Sequence, residues 1–468
     1  MKFWHFFIVA CLLLLGVSNG KAVVIHVSSS SGNDNNDGLS VMIPLRSIRQ
    51  AMAKGDTILL KSGDVFYENI TLNNGYLSKY GGKEKPVICG YKRINAPIWH
   101  KVGDHIWKIS LVDTGFIGFD TRGSSLLNNV GCLHEYGTDK LHGRKVQYKS
   151  QLKEDWDIWQ TEHHSNEDTK ASDFDTLYLY LHKDPNTLGL EFSVGTDGVF
   201  MRNSTIEDVR IEGFGRHGIA ARTHSVICHC EIDAIGGMTQ LTDREYVSLG
   251  NGIEFWLSEP LFDCVAESNK ISRCYDCACT IQGRKYKPTN IFFRNNLIID
   301  CCQGWEDFLT NESKEIVFEN CVFEDNIVLN SGKTAGFNYP ENRFKYCHVL
   351  GNNFKGNKGM IIRNNLFVGG NYYCSGSFKG KYKSNIWQGN KCYIKRGDHM
   401  LSNYSGTKDV IRIPVDKGKH KSLKVATKDA IASYRELTGD HTTQFIIKSE
   451  KQIAKKIVRL RHRWMTRR

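Results

Sequence analysis

Three carboxylates stand in a recurring context. Glu254 lies in Asn251-Gly-Ile-Glu-Phe-Trp256, Asp276 in Tyr275-Asp-Cys-Ala-Cys-Thr-Ile-Gln-Gly283, and Glu306 in Gln303-Gly-Trp-Glu-Asp-Phe308. From Asn251 to Asp276 is 25 residues, and from Asp276 to Gln303 is 27. Segments of this length that repeat a strand phrase cannot bury an apolar face alone and must stack on their neighbours. Aligning the phrases puts His217, Asn251, Asp276 and Gln303 near one row and Glu254, Cys279 and Glu306 near the next, with Asp307 beside it. Stacked coils lie about 4.8 Å apart, so Glu254 and Glu306, two coils apart, have backbones separated by roughly 9–10 Å. Their side chains can reach the separation of an inverting glycosidase pair, about 6.5–9.5 Å. In that chemistry one carboxyl keeps its proton as general acid and another activates water. Asp276 either joins the pair or raises the acid's pKa.

Trp256, Tyr275 and Trp305 offer aromatic surface against which the C–H face of a sugar could pack; filling the core is the plainer use of each. A second chemistry is β-elimination on a uronic-acid polymer. It needs cations to neutralise the substrate carboxylate, for which His217, Arg244, Arg284, Lys285 and Lys287 are candidates beside Arg216. His229 and Tyr246 are candidate bases. Calcium would enter only with this reaction, and no compact acidic calcium motif is present. The hydrolytic reading calls for no cofactor. The Cys228-His-Cys230 and Cys274-to-Cys279 clusters carry weak metal-site spacing. A P-loop, a dinucleotide fingerprint and a serine-nucleophile elbow are all missing from the sequence.

The elements that must hold these residues are short strands. The chain has 468 residues, 40% of them hydrophobic, with 43 Gly, 8 Pro and a formal charge of +12. Asn recurs before short apolar runs, as in Ile291-Phe-Phe-Arg-Asn-Asn-Leu-Ile298 and Met360-Ile-Ile-Arg-Asn-Asn-Leu-Phe367. Asn tolerates left-handed backbone and bonds locally at turns. Residues 1–20 read as a signal peptide: Lys2 and His5, an apolar run from Phe6 to Leu15, then Ser18-Asn-Gly20. That predicts a secreted or periplasmic protein. Outside the cytoplasm a basic surface suits an anionic polysaccharide better than nucleic acid. Of 15 cysteines, eight lie between Cys228 and Cys302, and reduced core thiols are favoured over an extensive disulfide set.

Near the N-terminus, His26-Val27, Ser31-Gly-Asn-Asp34, Asp37-Gly38, the helix Ser47 to Ala51, Gly55-Asp-Thr-Ile58 and Lys61-Ser-Gly63 resemble the amino-terminal cap of secreted right-handed parallel β-helix proteins, the pectate-lyase-like superfamily. The Asn-x-Ile and Asn-Asn-Leu phrases resemble the coils of the same superfamily, and the likeness covers Val23 to Ile394. It implies an all-β fold, a right-handed parallel β-helix with an N-terminal helical cap. The superfamily hosts lyases, hydrolases, epimerases and inert adhesins, so the fold alone assigns no reaction. The expected organisation is a signal peptide at 1–20, a β-helix over 21–394 with an excursion near 116–175, and a C-terminal extension over 395–468. The extension contains a helix ending at Gly439 and a basic tail, which would be a solvated segment or a helix in weak contact with a membrane surface or polyanion. The chain is expected to act as a monomer on a polysaccharide. The functional alternatives are a glycoside hydrolase using Glu254, Asp276 and Glu306, a lyase on a uronic-acid polymer, and a non-catalytic glycan-binding protein.

Overall fold

Short alternating segments separated by left-handed residues wind the chain into coils of three strands. The computed structural model describes residues 23–466 apart from 94–98, 112–128, 147–148, 161–175, 242–245, 284–285, 310–315, 333–346, 353–358, 371, 377–384 and 404–409. Each coil contributes one strand to each of three ten-stranded sheets. One coil reads Leu261–Glu267, Lys270–Cys274, Cys277–Gly283, and the next Pro288–Arg294, Leu297–Ile299, Gln303–Leu309. Successive coils pair in parallel, as in Ile271↔Ile298 and Cys279↔Trp305. In the order the chain visits them, the first sheet starts at Val24–Val27, the second at Val65–Phe66 and the third at Ile70–Asn73. The fold is the all-β parallel β-helix expected.

The corner between the first and second sheets shows how the sequence builds it. Two residues turn the chain. The first has positive φ (Ser268 59°, Asn295 55°, Asp325 53°, Asn364 56°). The second is an asparagine pointing inward: Asn269, Asn296, Asn326, Asn365 and Asn390 are all buried. Each accepts the backbone N–H of the preceding ladder position through Oδ1 and donates Nδ2 to a backbone carbonyl. For Asn326, Oδ1 accepts from the Asn296 N–H at 2.9 Å and Nδ2 donates to the Phe293 carbonyl at 3.0 Å. The ladder satisfies peptide groups that a tight buried corner would otherwise strand. It explains the Asn-Asn-Leu phrase, in which the two asparagines do different work.

Inside, one continuous core runs from Ile25 and Ile58 through Phe255, Phe293 and Phe323 to Tyr373 and Tyr434. All described cysteines are buried and free. Helix α1 (Ile48–Met52), capped by Ser47, closes the first end with Ile48 and Ala51. At the other end the stack continues past Ile394, because Gln444–Ile447 pairs with Lys391–Ile394. Helix α2 (Leu423–Thr438) runs from Ser422 to a left-handed Gly439 and sets Tyr434 against Phe445 in the core. Helix α3 (Glu450–Thr466) carries the basic tail. Its Ile453, Ile457, Leu460 and Trp464 cover Leu297, Ile299, Leu329 and Val368 on the outer side of the second sheet. Arg461 fixes it to Asp300 at 2.6 Å. None of the described helices is long and apolar enough to cross a membrane.

Between Val87–Cys89 and Val199–Arg202 the chain leaves the stack and forms two smaller sheets of four and five strands, from Lys92–Arg93 to Leu190–Val194. This insertion has its own core around Leu133, Ile158 and Phe192. It seats on the corner between the second and third sheets through Cys132, Leu141, Ala234 and Tyr275.

The ladder makes a quantitative prediction. Asn326→Ala strands at least one buried N–H and one buried carbonyl, at about 1–3 kcal/mol each. Denaturant unfolding should therefore show a loss of about 2–6 kcal/mol. Asn295→Gly, which keeps the left-handed turn residue, should change stability by less than about 1 kcal/mol. Equal effects would remove the ladder from the account.

Candidate active site

The outer face of the third sheet carries the three acids. Ala220, Glu254, Thr280, Glu306 and Leu350 are in register across neighbouring coils. Glu254 and Glu306 therefore stand two coils apart, with Thr280 between them. Ile253, Cys279 and Trp305 form the next row, each fully buried in the core. This corrects one alignment. Thr280, not Cys279, shares the row of the glutamates, and Cys277, not Asp276, is the partner of Gln303. The coil spacing here is 26 residues twice, from Ile253 to Cys279 to Trp305, where the phrases had given 25 and 27. Gly252 and Gly304 enforce the tight corner before the acids, since a Cβ on either would come within 2.7 Å of a neighbouring carbonyl oxygen.

Asp276 sits on that corner, one residue before the strand. His217 and Asn251 are buried at the same corner of the preceding coils. The Asn251 Nδ2 donates to Glu254 Oε2 at 2.8 Å, and its Oδ1 accepts the Cys277 N–H at 3.3 Å. His217 Nδ1 lies 3.2 Å from the Asn251 N–H, which it accepts, so a neutral ring carries its hydrogen on Nε2. That Nε2 lies 3.5 Å from Glu254 Oε2. Glu306 Oε2 accepts from Gln282 Nε2 at 3.0 Å. Glu254 and Glu306 are each 5% exposed. Burial, then the neighbouring Asp276 and Asp307 charges, push the Glu306 carboxyl well above the usual carboxylate range. Burial and the Glu254 charge push Asp276 up to about 7.

The remaining candidates separate. Trp256 is half-buried on the outer face, in register with Gln282 and Phe308. It is the aromatic that lies beside the acids. Trp305 is fully buried between Phe293 and Phe323, at ring distances of 5.0 and 5.4 Å. Odd and even residues of its strand face opposite sides, so placing Glu306 outside puts Trp305 inside. Asp307 shares the Trp305 side, in register with Ile281, and is also fully buried. Tyr275 lies in the contact between the stack and the insertion, with Cys132 and Ala234. Lys287 pairs with Glu319 where the chain enters the first sheet, at the far end of the third-sheet strand from Asp276. Arg244, Arg284 and Lys285 lie outside the described residues.

Two residues of the site escaped the sequence reading: Thr280 and Gln282. Their signal was present, because they occupy the same alternate positions as Glu254 and Trp256. The one-residue alignment error concealed it. Among the described residues, no set of three His, Cys, Asp or Glu side chains is arranged to hold a metal ion.

No protein-family model and no curated protein matches the chain. Several solved structures are similar to it. One is XylC in complex with xylose, 14% identical with a TM-score of 0.48, covering 81% of this chain and 69% of that one. Another is described as a glycoside hydrolase, 12% identical with a TM-score of 0.40, covering 82% and 95%. A third is a lacto-N-biosidase from Eubacterium ramulus, 12% identical with a TM-score of 0.36, covering 82% and 66%. The chemistry of the site rests on its own residues.

The raised Asp276 carboxyl has a stability consequence. A group whose folded pKa exceeds its unfolded value favours the fold below the unfolded pKa, and that contribution is lost as pH rises through the folded pKa. For Asp276 the window runs from the ordinary value of 3.8 to about 7. Asp276→Asn should therefore leave the melting temperature unchanged near pH 4. By pH 7 it should raise it by roughly 2 °C or more, with no further gain above. A thermal melt series that shows the gain shrinking with pH would contradict the burial of this charge.

Proposed function

We propose that the chain is a secreted glycoside hydrolase that cleaves a polysaccharide on the outer face of the third sheet. The carrying observation is the column Glu254–Thr280–Glu306, with Asp276 at its edge and the Glu306 carboxyl pushed well above the usual carboxylate range by burial and like charge. Glycoside hydrolysis by inversion needs one carboxylic acid to protonate the leaving oxygen and one carboxylate to deprotonate water across the sugar. Glu306 is suited to the first task, because a carboxyl pushed well above the usual carboxylate range holds a proton for donation. The Gln282 amide fixes the orientation of its carboxyl. Glu254 is suited to the second. Asn251 and His217 orient its Oε2, leaving Oε1 to accept a proton from water. Two coils of roughly 4.8 Å give the backbone separation from which side chains span an inverting distance.

Asp276 adds negative charge beside both glutamates. It opposes ionisation of Glu306 and keeps the two roles apart, as two carboxyls sharing one site do elsewhere. Trp256 supplies the stacking face for a neighbouring sugar.

Glu306→Gln keeps shape and hydrogen bonding but removes the proton. It should lower turnover by about 10²–10⁴-fold on a substrate found by screening neutral and uronic-acid polysaccharides for new reducing ends. Glu254→Gln should lower it comparably, and Asp276→Asn should shift the acidic or basic limb of the pH–rate profile. Near wild-type turnover in all three would place the chemistry elsewhere. Release of a 4,5-unsaturated uronate in place of a hydrated reducing end would replace hydrolysis with elimination.

A further inference from the structure

Helix α3 has a second face that stays exposed. Its inner face is anchored. Ile453, Ile457, Leu460 and Trp464 pack on the second sheet, Arg461 pairs with Asp300 at 2.6 Å, and the Lys456 ammonium lies 4.7 Å over the Tyr393 ring. The other side carries Lys451, Lys455, Arg459 and Arg463, all exposed. They recur every four residues, so a cation stands at each rise of about 6 Å along the helix. Among the described residues none of the four pairs with an acid, and Glu450 is the single acid of the helix. Like charges at this spacing lower helix stability. Two aliphatic side chains stand among the cations. Val458 and Met465 are 67% and 58% exposed, and with Lys451 they fall at heptad intervals along one line of the helix.

A fixed row of cations with protruding aliphatic tips matches a surface that is anionic outside and apolar beneath. A bilayer of anionic phospholipid has both layers: cations meet its headgroups while short apolar side chains enter the boundary with the acyl chains. A soluble polyanion would take the cations but leave Val458 and Met465 in water. We propose that α3 seats the protein on an anionic phospholipid surface. Lys451, Lys455, Arg459 and Arg463 meet the headgroup phosphates, and Val458 and Met465 enter the acyl boundary. The helix lies along the surface, with about 26 Å of its length in the plane. Its larger apolar side is already committed to the second sheet, so the attachment is reversible and weakens with salt. The acids stand on the third sheet, a different side of the stack, so the candidate active site stays open while α3 is seated. Seating by α3 is independent of the chemistry at Glu254 and Glu306.

The test is co-sedimentation of the full chain with vesicles of phosphatidylcholine alone, or of phosphatidylcholine with about one-third phosphatidylglycerol. The neutral vesicles measure any binding through the apolar run from Phe6 to Leu15. At low salt the wild type should partition about 30-fold or more in favour of the anionic vesicles, and high salt should remove most of that preference. Lys451→Gln, Lys455→Gln, Arg459→Gln and Arg463→Gln combined should weaken binding to the anionic vesicles about 100-fold and leave the neutral ones unchanged. Val458→Ser with Met465→Ser keeps every charge and should weaken it about 10-fold. Both variants alter exposed side chains alone and should melt within about 2 °C of the wild type. Equal partition into the two vesicles, or anionic binding that survives the fourfold substitution, overturns the inference. Anionic binding that Val458→Ser with Met465→Ser leaves unchanged also overturns it, and retention of that variant on heparin would then assign the face to a soluble polyanion.

Discussion

The side-chain ladder from Asn269 to Asn390 is the constraint on which the rest depends. Three sheets wound on one axis need their coils to keep a common register, and apolar contacts alone are indifferent to sliding by one residue. Each ladder amide binds the coil on either side through a defined donor and a defined acceptor. A one-residue slip would leave every one of these buried groups without a partner. The ladder is present where the acids are. Asn269 belongs to the coil of Thr280 and Asn296 to that of Glu306, and Cys230, in the coil of Glu254, gives its N–H to Asn269 Oδ1 at 2.9 Å. Register at one corner thus becomes a column of functional groups on the third sheet.

That rigidity permits a costly arrangement. Two buried glutamates and the partly exposed Asp276 beside them repel each other, and the fold holds them there because the strands beneath are fixed from both sides. Fully buried Phe255, Phe293 and Phe323 and the small thiol-bearing positions fill the interior. Burial holds the Cys230 and Cys264 thiols at about 12, so they behave as small apolar side chains. The result is a pre-organised site in which proton occupancy is set by burial and mutual repulsion.

Much of this was legible in the sequence. The recurrence of Asn251-Gly-Ile-Glu and Gln303-Gly-Trp-Glu fixed the coil, and two of the three acids fell in the predicted row two coils apart. The middle coil was misread by one residue because Cys277-Ala-Cys-Thr replaces the Asn-Gly-Ile-Glu phrase with small apolar residues. Asp276 then looked like its first member. The consequences of parity followed. Trp305 belongs to the core because Glu306 does not, and a list of aromatics beside acids cannot make that distinction. Tyr275 was concealed differently: its neighbours come from an insertion more than 100 residues earlier in the chain. The basic tail reads as a charge run, but the apolar spacing Ile453, Ile457, Leu460, Trp464 gives it a face that docks on the second sheet.

The central claim is that Glu306, its carboxyl pushed well above the usual range, is the acid of the pair. Infrared difference spectroscopy of the wild type and Glu306→Gln at pH 7 tests it most directly, through the carbonyl stretch of a protonated carboxyl. Because Asp276, pushed up to about 7, contributes to the same band, the account predicts that Glu306→Gln removes part of the wild-type protonated-carboxyl intensity and that Glu254→Gln leaves that part in place. A wild-type spectrum with no such band, or a band that survives Glu306→Gln unchanged, would contradict it.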